Sequence, residues 1–301
     1  MNRALALLLT AALLLAGCSA PKSPGMPPVY DTGVDPDAWV KVPAGEFRMG
    51  IHETPTSIPA AYEIMVTPVT NAQYASYLSA AVATGRVKIV GGAVMGYYGG
   101  DPFHGRRHEE RIDAGDYLHV PLADPDLRLT YDGRTFAVKP GYENHPMTMV
   151  SWFGAKAYCE FGGGRLPTEA EWEKAARGTD ARPYPWGQDV AHGNANYYAS
   201  GDPFEKYVGA LGDTTPVGFY NGRNYDGYLT IRSVSPYGLY DMAGNVWQWT
   251  ADVTEGTHYR YLRGGSKADY GYNLRVWTRN NARPDYASPN VGFRCVRSPA
   301  S

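Results

Sequence analysis

Gly164-Arg165-Leu166-Pro167-Thr168-Glu169-Ala170-Glu171-Trp172-Glu173-Lys174-Ala175-Ala176-Arg177-Gly178 is the stretch that organises the chain. Thr168, followed three residues on by Glu171, forms a capping box in which each side chain satisfies the other residue's free backbone N–H. It opens a helix that Gly178 closes. Upstream, Ser151 can cap a helix from Trp152 to Phe161, stopped by glycines at 162–164. Thr70-Asn71-Ala72-Gln73-Tyr74 opens another helix, to about Ala83, with Tyr74, Tyr77 and Leu78 on one face. Residues 39–49 alternate and then turn, which reads as a hairpin. Residues 85–145 read as irregular and strand-rich. Beyond Gly178 only short strands and long loops are expected. The expected class is α+β, with little regular secondary structure and no repeat of solenoid period.

The chain has 301 residues, enough for one large or two small domains. Hydrophobic residues make up 44% and charged residues 19%, the balance of a globular protein with a core. A net charge of −2 and the lack of a basic block argue against a nucleic-acid partner. With 24 Tyr, 7 Trp, 35 Gly and 23 Pro, the composition suits loops pinned by aromatic packing rather than a helical bundle.

Residues 1–17 read as a signal peptide: Met1-Asn2-Arg3, then a nearly continuous Ala/Leu run too short to span a membrane. Leu15-Ala16-Gly17-Cys18 resembles the bacterial lipoprotein box, which implies that Cys18 is acylated and becomes the first residue. The expected location is the cell envelope, anchored by lipid, and the outer membrane in a diderm host, since Ser19 is not Asp. Residues 18–37 are expected to form the lipidated Cys and a Pro-rich tether, and 38–301 the folded domain. With Cys18 acylated, Cys159 and Cys295 remain as one pair in an oxidising compartment. A disulfide is the default for such a pair; two thiols at a metal or redox site is the competing reading.

Five further blocks accompany Gly164–Gly178. They are Val42-Pro43-Ala44-Gly45-Glu46-Phe47-Arg48-Met49-Gly50 with Thr67-Pro68-Val69-Thr70-Asn71; Tyr184-Pro185-Trp186-Gly187; Tyr237 to Trp249, which contains Asp241-Met242-Ala243-Gly244-Asn245-Val246; Arg263-Gly264-Gly265-Ser266; and Asn290-Val291-Gly292-Phe293-Arg294-Cys295. Together they resemble the formylglycine-generating enzyme family, also called sulfatase-modifying factors. The resemblance runs from about 39 to 298 and implies a C-type-lectin-like core elaborated with loops. Its members include copper-dependent protein-cysteine oxidases, iron-dependent sulfoxide synthases and non-catalytic display or binding proteins, so membership alone does not fix function.

In the oxidases, two Cys between the Arg-Gly-Gly-Ser and Gly-Phe-Arg blocks bind Cu(I), a soft ion that favours thiolates. Here that interval, Lys267 to Arg294, contains no Cys. The settings of Cys159 and Cys295 resemble the family's structural disulfide. The iron-dependent branch uses an H-x-x-x-H-x-E string, matched by His104 to Glu110. On a helix His104 and His108 would share a face and could hold a transition metal; solvated His in an inserted loop is the alternative. His119 and His145 could join such a site only through folding.

The resemblance also implies calcium, an ion that takes oxygen ligands. One site matches Asp241, Met242, Gly244 and Val246. A second would use Asn196 and Tyr197, closed by Asp226 with Tyr228. Ordinary turn hydrogen bonding is the alternative for both. The Tyr-, Trp-, Asn- and Arg-rich stretch Tyr259 to Tyr286 suits either a recognition surface or loop packing. No G-x-S-x-G, P-loop or H-E-x-x-H string occurs. The sequence therefore points to a membrane-anchored, calcium-stabilised binding or scaffold module for an unspecified protein or small molecule. The alternative is an iron- or copper-dependent oxidase with ligands other than the family Cys pair.

Overall fold

The computed structural model describes residues 25–207 and 211–299. The expected signal peptide and Cys18 lie outside the described residues. Three α-helices form where the sequence provides their caps. In α1 (Asn71–Ala83), Thr70 Oγ1 accepts the Gln73 N–H at 3.2 Å and Gln73 Oε1 accepts the Thr70 N–H at 2.8 Å. In α2 (Trp152–Phe161), Ser151 Oγ accepts the Gly154 N–H at 3.1 Å. In α3 (Glu169–Arg177), Thr168 Oγ1 accepts from Glu171 N at 3.1 Å, and the Glu171 carboxylate accepts from Thr168 N at 2.9 Å. Among the described residues beyond Gly178 no α-helix forms, and two short 3₁₀ turns are the helical elements there.

The strands form several small sheets. Tyr62–Met65 lies between Trp39–Val42 and Val296–Arg297, antiparallel to both, so the start and end of the domain meet. A four-stranded sheet runs in the order Arg279–Ala282, Arg260–Arg263, Trp247–Val253, Val291–Gly292, the last pairing parallel. A meander of Val87–Val90, Ala93–Tyr98 and Gly115–Pro121 fills much of the segment read as strand-rich. Among the described residues no helix is long and apolar enough to cross a membrane.

The hairpin expected over 39–49 does not form. Trp39–Val42 pairs with Tyr62–Met65, while Gly45–Met49 pairs with Thr54–Ile58. Pro43-Ala44 cannot make the tight turn, because two-residue hairpin loops need positive φ at their first position. The reversal falls instead at Gly50 (φ 75°) to Glu53 (φ 52°).

The described part of the segment read as a tether is packed. Residues 25–37 lie on the domain rather than leading up to it. The Tyr30 ring packs against Phe204, Phe219 and Tyr225 at 5.1–6.0 Å between centroids. Buried Thr32 donates Oγ1–H to the Val217 carbonyl at 3.0 Å. One aromatic anchor and a few backbone bonds hold a segment whose composition is too polar to suggest folding.

Cys159 and Cys295 form a disulfide, with Cα atoms 5.5 Å apart, joining α2 to the last strands. Around it lies the main core, with Tyr74, Phe153, Trp249 and Phe293 at its centre. A second core under α3 gathers Val42, Ile64, Trp172 and Val296.

The charged residues of α3 point inward. Glu173 is fully buried and accepts from Arg177 Nη1 at 2.9 Å, Arg263 Nη2 at 2.5 Å and Gly50 N at 2.6 Å. Arg263 Nη1 also donates to Glu169 at 2.8 Å, and Lys174 Nζ donates to the carbonyls of Pro43 and Gly45 at 2.7 and 2.8 Å. Thus the helix block and the Arg263-Gly264-Gly265-Ser266 block meet through buried ion pairs. A buried charge of this kind is tolerable only when paired.

Candidate functional site

The Lys267–Arg294 interval borders a surface cavity of about 350 Å³. Strand Trp247–Val253 supplies Trp247, strand Arg279–Ala282 supplies Asn280 and Asn281, and the loop after Arg263 supplies Ser266 and Asp269. Asp269 organises the floor. Its Oδ2 accepts from Trp247 Nε1 at 2.8 Å, Ser266 N at 2.9 Å and Ser266 Oγ at 2.6 Å; its Oδ1 accepts from Asn273 Nδ2 at 3.3 Å. Three donors meet at Oδ2 and one at Oδ1, so this carboxylate ties the loop to strand Trp247–Val253. The amides, hydroxyls and indole around it supply hydrogen-bonding and stacking chemistry.

Copper does not fit here. Cu(I) needs soft ligands, and the cavity wall offers nitrogen and oxygen only. Among the described residues the two cysteines are bonded to each other. The Tyr259–Tyr286 stretch divides between the two readings given to it. Tyr270 and Tyr272 are more than half exposed, with rings stacked at 6.1 Å, and Tyr198 stands edge-on to Tyr270 at 5.1 Å. Arg260 and Leu262 are buried in the sheet.

The first calcium set is held in one loop. Asp241 has φ 54° and a buried carboxylate whose Oδ2 accepts the Gly218 N–H at 2.7 Å. Burial pushes its carboxyl up to about 6, opposed by the Gly218 N–H and the Arg294 charge. Arg294 itself donates to the Tyr240 and Asp241 carbonyls, at 2.7 and 3.2 Å. Asp241 is thus an anion without a hydrogen-bonded cationic partner, followed closely by the carbonyls of Met242, Gly244 and Val246. These are oxygen donors of the kind a hard cation takes, and the Gly244 carbonyl also accepts the Val246 N–H at 2.8 Å. Gly244 (φ 78°) is required: a Cβ would stand 2.4 Å from the Asn196 carbonyl.

The second set is not assembled as expected. Asn196 is buried, but its amide donates to the Asp213 carbonyl at 2.9 Å and its own carbonyl accepts from Asn245 N at 2.7 Å. Asp226 is exposed at the tip of the hairpin made by Asn224–Tyr225 and Tyr228–Leu229, where it accepts from Tyr30 Oη at 3.0 Å. The Tyr228 hydroxyl donates to the His192 carbonyl at 2.7 Å. Tyr197 packs its ring against His192. The carboxylate near Asn196 is Asp213, already served by Arg128 and Tyr142, and the Lys267 ammonium sits 2.8 Å from the neighbouring Gly212 carbonyl. With two cationic side chains present, these residues do not fit a calcium ion.

No helix forms over His104 to His108. His108 is exposed with φ 71°, and His104 gives Nδ1 to Glu109 at 3.0 Å. The shared face that a helix would give is absent, and the two His lie in a loop, the other reading of the string. His119 and His145 are buried separately, each pushed down to about 4 by burial. Among the described residues no group of three His, Cys, Asp or Glu is arranged to hold a metal ion.

A cluster that the sequence does not announce lies at a second cavity of about 390 Å³. Buried His258 has Nδ1 2.8 Å from Asp101 and Nε2 2.8 Å from Glu109, and Arg260 donates to Asp101 at 2.5 Å. The partners lie about 150 residues apart in the chain, so no local pattern connects them. Its effect is to fasten the 99–113 insertion to the turn before Arg260.

The sulfatase-modifying factor enzyme 1-like domain matches residues 28–299. The formylglycine-generating enzyme of Mycobacterium tuberculosis (strain ATCC 25618 / H37Rv) is 31% identical, over 87% of this chain and 98% of that protein. The inactive C-alpha-formylglycine-generating enzyme 2 of Mus musculus is 40% identical over 51% of this chain and 49% of its own length. The chain spans half or less of the length of several curated relatives that it matches. Among solved structures, PvdO from Pseudomonas aeruginosa aligns over 86% of this chain and 94% of its own, with a TM-score of 0.55 and 22% identity, a likeness of fold.

Proposed function

We infer the function from one premise: the chain belongs to the sulfatase-modifying factor family. We propose that it is a lipid-anchored, calcium-stabilised binding module that does not make formylglycine with copper. The observation that carries the reading is the thiol-free cavity beside Lys267–Arg294, where Asp269 is held by Trp247 and Ser266, and Asn280, Asn281 and Tyr286 offer recognition chemistry. A relative described as inactive is consistent with this. The bound partner would be a protein or small molecule with hydrogen-bonding groups and a flat or apolar face. Elemental analysis of the purified protein tests the proposal: calcium alone supports it, and stoichiometric copper or iron contradicts it.

Calcium would be held by the Asp241 carboxylate with the carbonyls of Met242, Gly244 and Val246, pinning the loop between the two core layers. Chelation is expected to lower the melting temperature, and Asp241→Ala to remove most of that sensitivity. The pH dependence has a defined sign. A carboxyl raised by burial to about 6 stabilises the metal-free fold at acid pH, and that contribution is lost as pH rises through about 6. Calcium needs the ionised form, so binding is expected to weaken below pH ~6. Titration calorimetry at acid and neutral pH checks this; pH-independent affinity would contradict it.

Leu15-Ala16-Gly17-Cys18 supports anchoring by lipid at Cys18. Cys18→Ser is expected to yield soluble or uncleaved protein on fractionation. A mature, lipid-modified species from that variant would contradict the anchor.

A further inference from the structure

The segment 25–34 is a strap. Tyr207 donates its hydroxyl to the Gly25 carbonyl. The Tyr30 ring fills a pocket between Phe204, Phe219 and Tyr225, and its hydroxyl reaches Asp226. The Thr32 carbonyl accepts from Asn221 Nδ2 at 3.0 Å, and Arg223 donates to the Asp31 carbonyl at 3.2 Å. The strap thus binds along loops 204–226 from its first described residue.

Resting on the reading that Cys18 is acylated, this docking limits reach. Seven residue steps separate Cys18 from Gly25, and a fully extended chain of that length spans roughly 25 Å. A tether free to Asp37 would span roughly 65 Å. The shorter span holds one side of the domain near the bilayer. The strap and the loops it fastens carry exposed aliphatic side chains: Met26 and Val29, with Leu211, Leu229 and Ile231, are each 45–66% exposed. Isolated exposed aliphatics are ordinary. These lie on the strap and on the loops around its docking site, the part of the domain that the docked strap keeps nearest the anchor. An apolar group gains when it enters the interfacial layer of a membrane.

We infer that the strap and the 204–231 loops form the membrane-facing surface of the protein, their exposed aliphatic side chains resting on the bilayer that holds Cys18. The charges on these segments are mixed, with Lys206, Arg223 and Arg232 against Asp31, Glu205 and Asp226, so apolar contact rather than charge attraction is the recognising chemistry.

The test uses full-length lipidated protein in vesicles of phosphatidylethanolamine and phosphatidylglycerol doped with nitroxide-labelled lipid. A fluorophore is placed on one introduced thiol at a time: Val29→Cys, Leu229→Cys, and Ile51→Cys as reference. Ile51 sits in the turn that packs by α3 through Gly50. Flotation with the vesicles establishes the anchor separately. In floating protein, lipid quenching is expected to be several-fold greater at 29 and 229 than at 51. Tyr30→Ala with Thr32→Ala, which frees the strap, should lower quenching at 229 several-fold while flotation persists. Equal quenching at all three sites in floating protein overturns the surface and leaves the anchor standing. Unchanged quenching at 229 after the strap is freed also overturns it. Protein that fails to float overturns the anchor, and the inference with it.

Discussion

Glu173→Ala is expected to destabilise the fold by about 3–5 kcal/mol, the range for removing one partner from a buried ion pair. Glu173 is fully buried, and its two oxygens receive Arg177, Arg263 and the Gly50 N–H. Both guanidinium groups are themselves buried. Arg177 retains the Arg48 and Gly50 carbonyls, and Arg263 retains Glu169 and the Val276 carbonyl. Those contacts engage Arg177 Nη1 and both Nη groups of Arg263, but Arg177 Nε and Nη2 and Arg263 Nε have no partner among the described residues, and with Glu173 gone the Arg177 charge has no carboxylate against it while Arg263 keeps only Glu169. Glu173→Gln keeps the shape and an acceptor for Gly50 while losing the charge, so its loss should be smaller. Urea denaturation measures both. A loss under about 1 kcal/mol for the alanine variant, the level of an exposed pair, would contradict the network's role.

Removing the disulfide is expected to have a comparable effect. Cys159 and Cys295 are 136 residues apart, and a cross-link closing so long a loop contributes about 4–5 kcal/mol on the chain-entropy model. It also fastens α2 to the strand that completes the sheet of Trp39–Val42 and Tyr62–Met65. Cys159→Ala/Cys295→Ala should therefore unfold at markedly lower urea concentration, and reductant should shift the wild type in the same direction. Two reactive thiols in non-reduced protein, or an unchanged midpoint in the double variant, would contradict this.

The three helices are legible because each is specified locally. A capping hydroxyl and its answering residue lie three positions apart, so Thr70, Ser151 and Thr168 could be read without tertiary knowledge. The disulfide pairing follows from the family resemblance and the small number of cysteines. The 39–49 pairing is not legible from alternation, which marks strands but not their partners; the turn chemistry at Pro43-Ala44 carries that information. Composition likewise hides the strap, since a single tyrosine in an aromatic pocket outweighs a polar sequence. At the candidate site, the absent thiols were visible in the sequence, whereas the Asp269 hub was not. Asp269 is one acidic residue among thirty Asp and Glu, and only folding brings Trp247 to it. The Asp226 assignment depended on a variable loop, where neither spacing nor hydrophobic period fixes a position. Asn196 instead meets the Asp213 carbonyl, and Lys267 the adjoining Gly212 carbonyl, contacts that sequence distance conceals.

The central claim is that this member of the family lacks the oxidase's copper chemistry. The most direct test is to supply the purified protein with Cu(I), oxygen and a sulfatase-type cysteine peptide, and to follow the peptide by mass spectrometry. The account predicts that the peptide keeps its thiol mass at every copper concentration, because the Lys267–Arg294 wall provides no thiolate. Copper-dependent conversion of the peptide cysteine to formylglycine would contradict it.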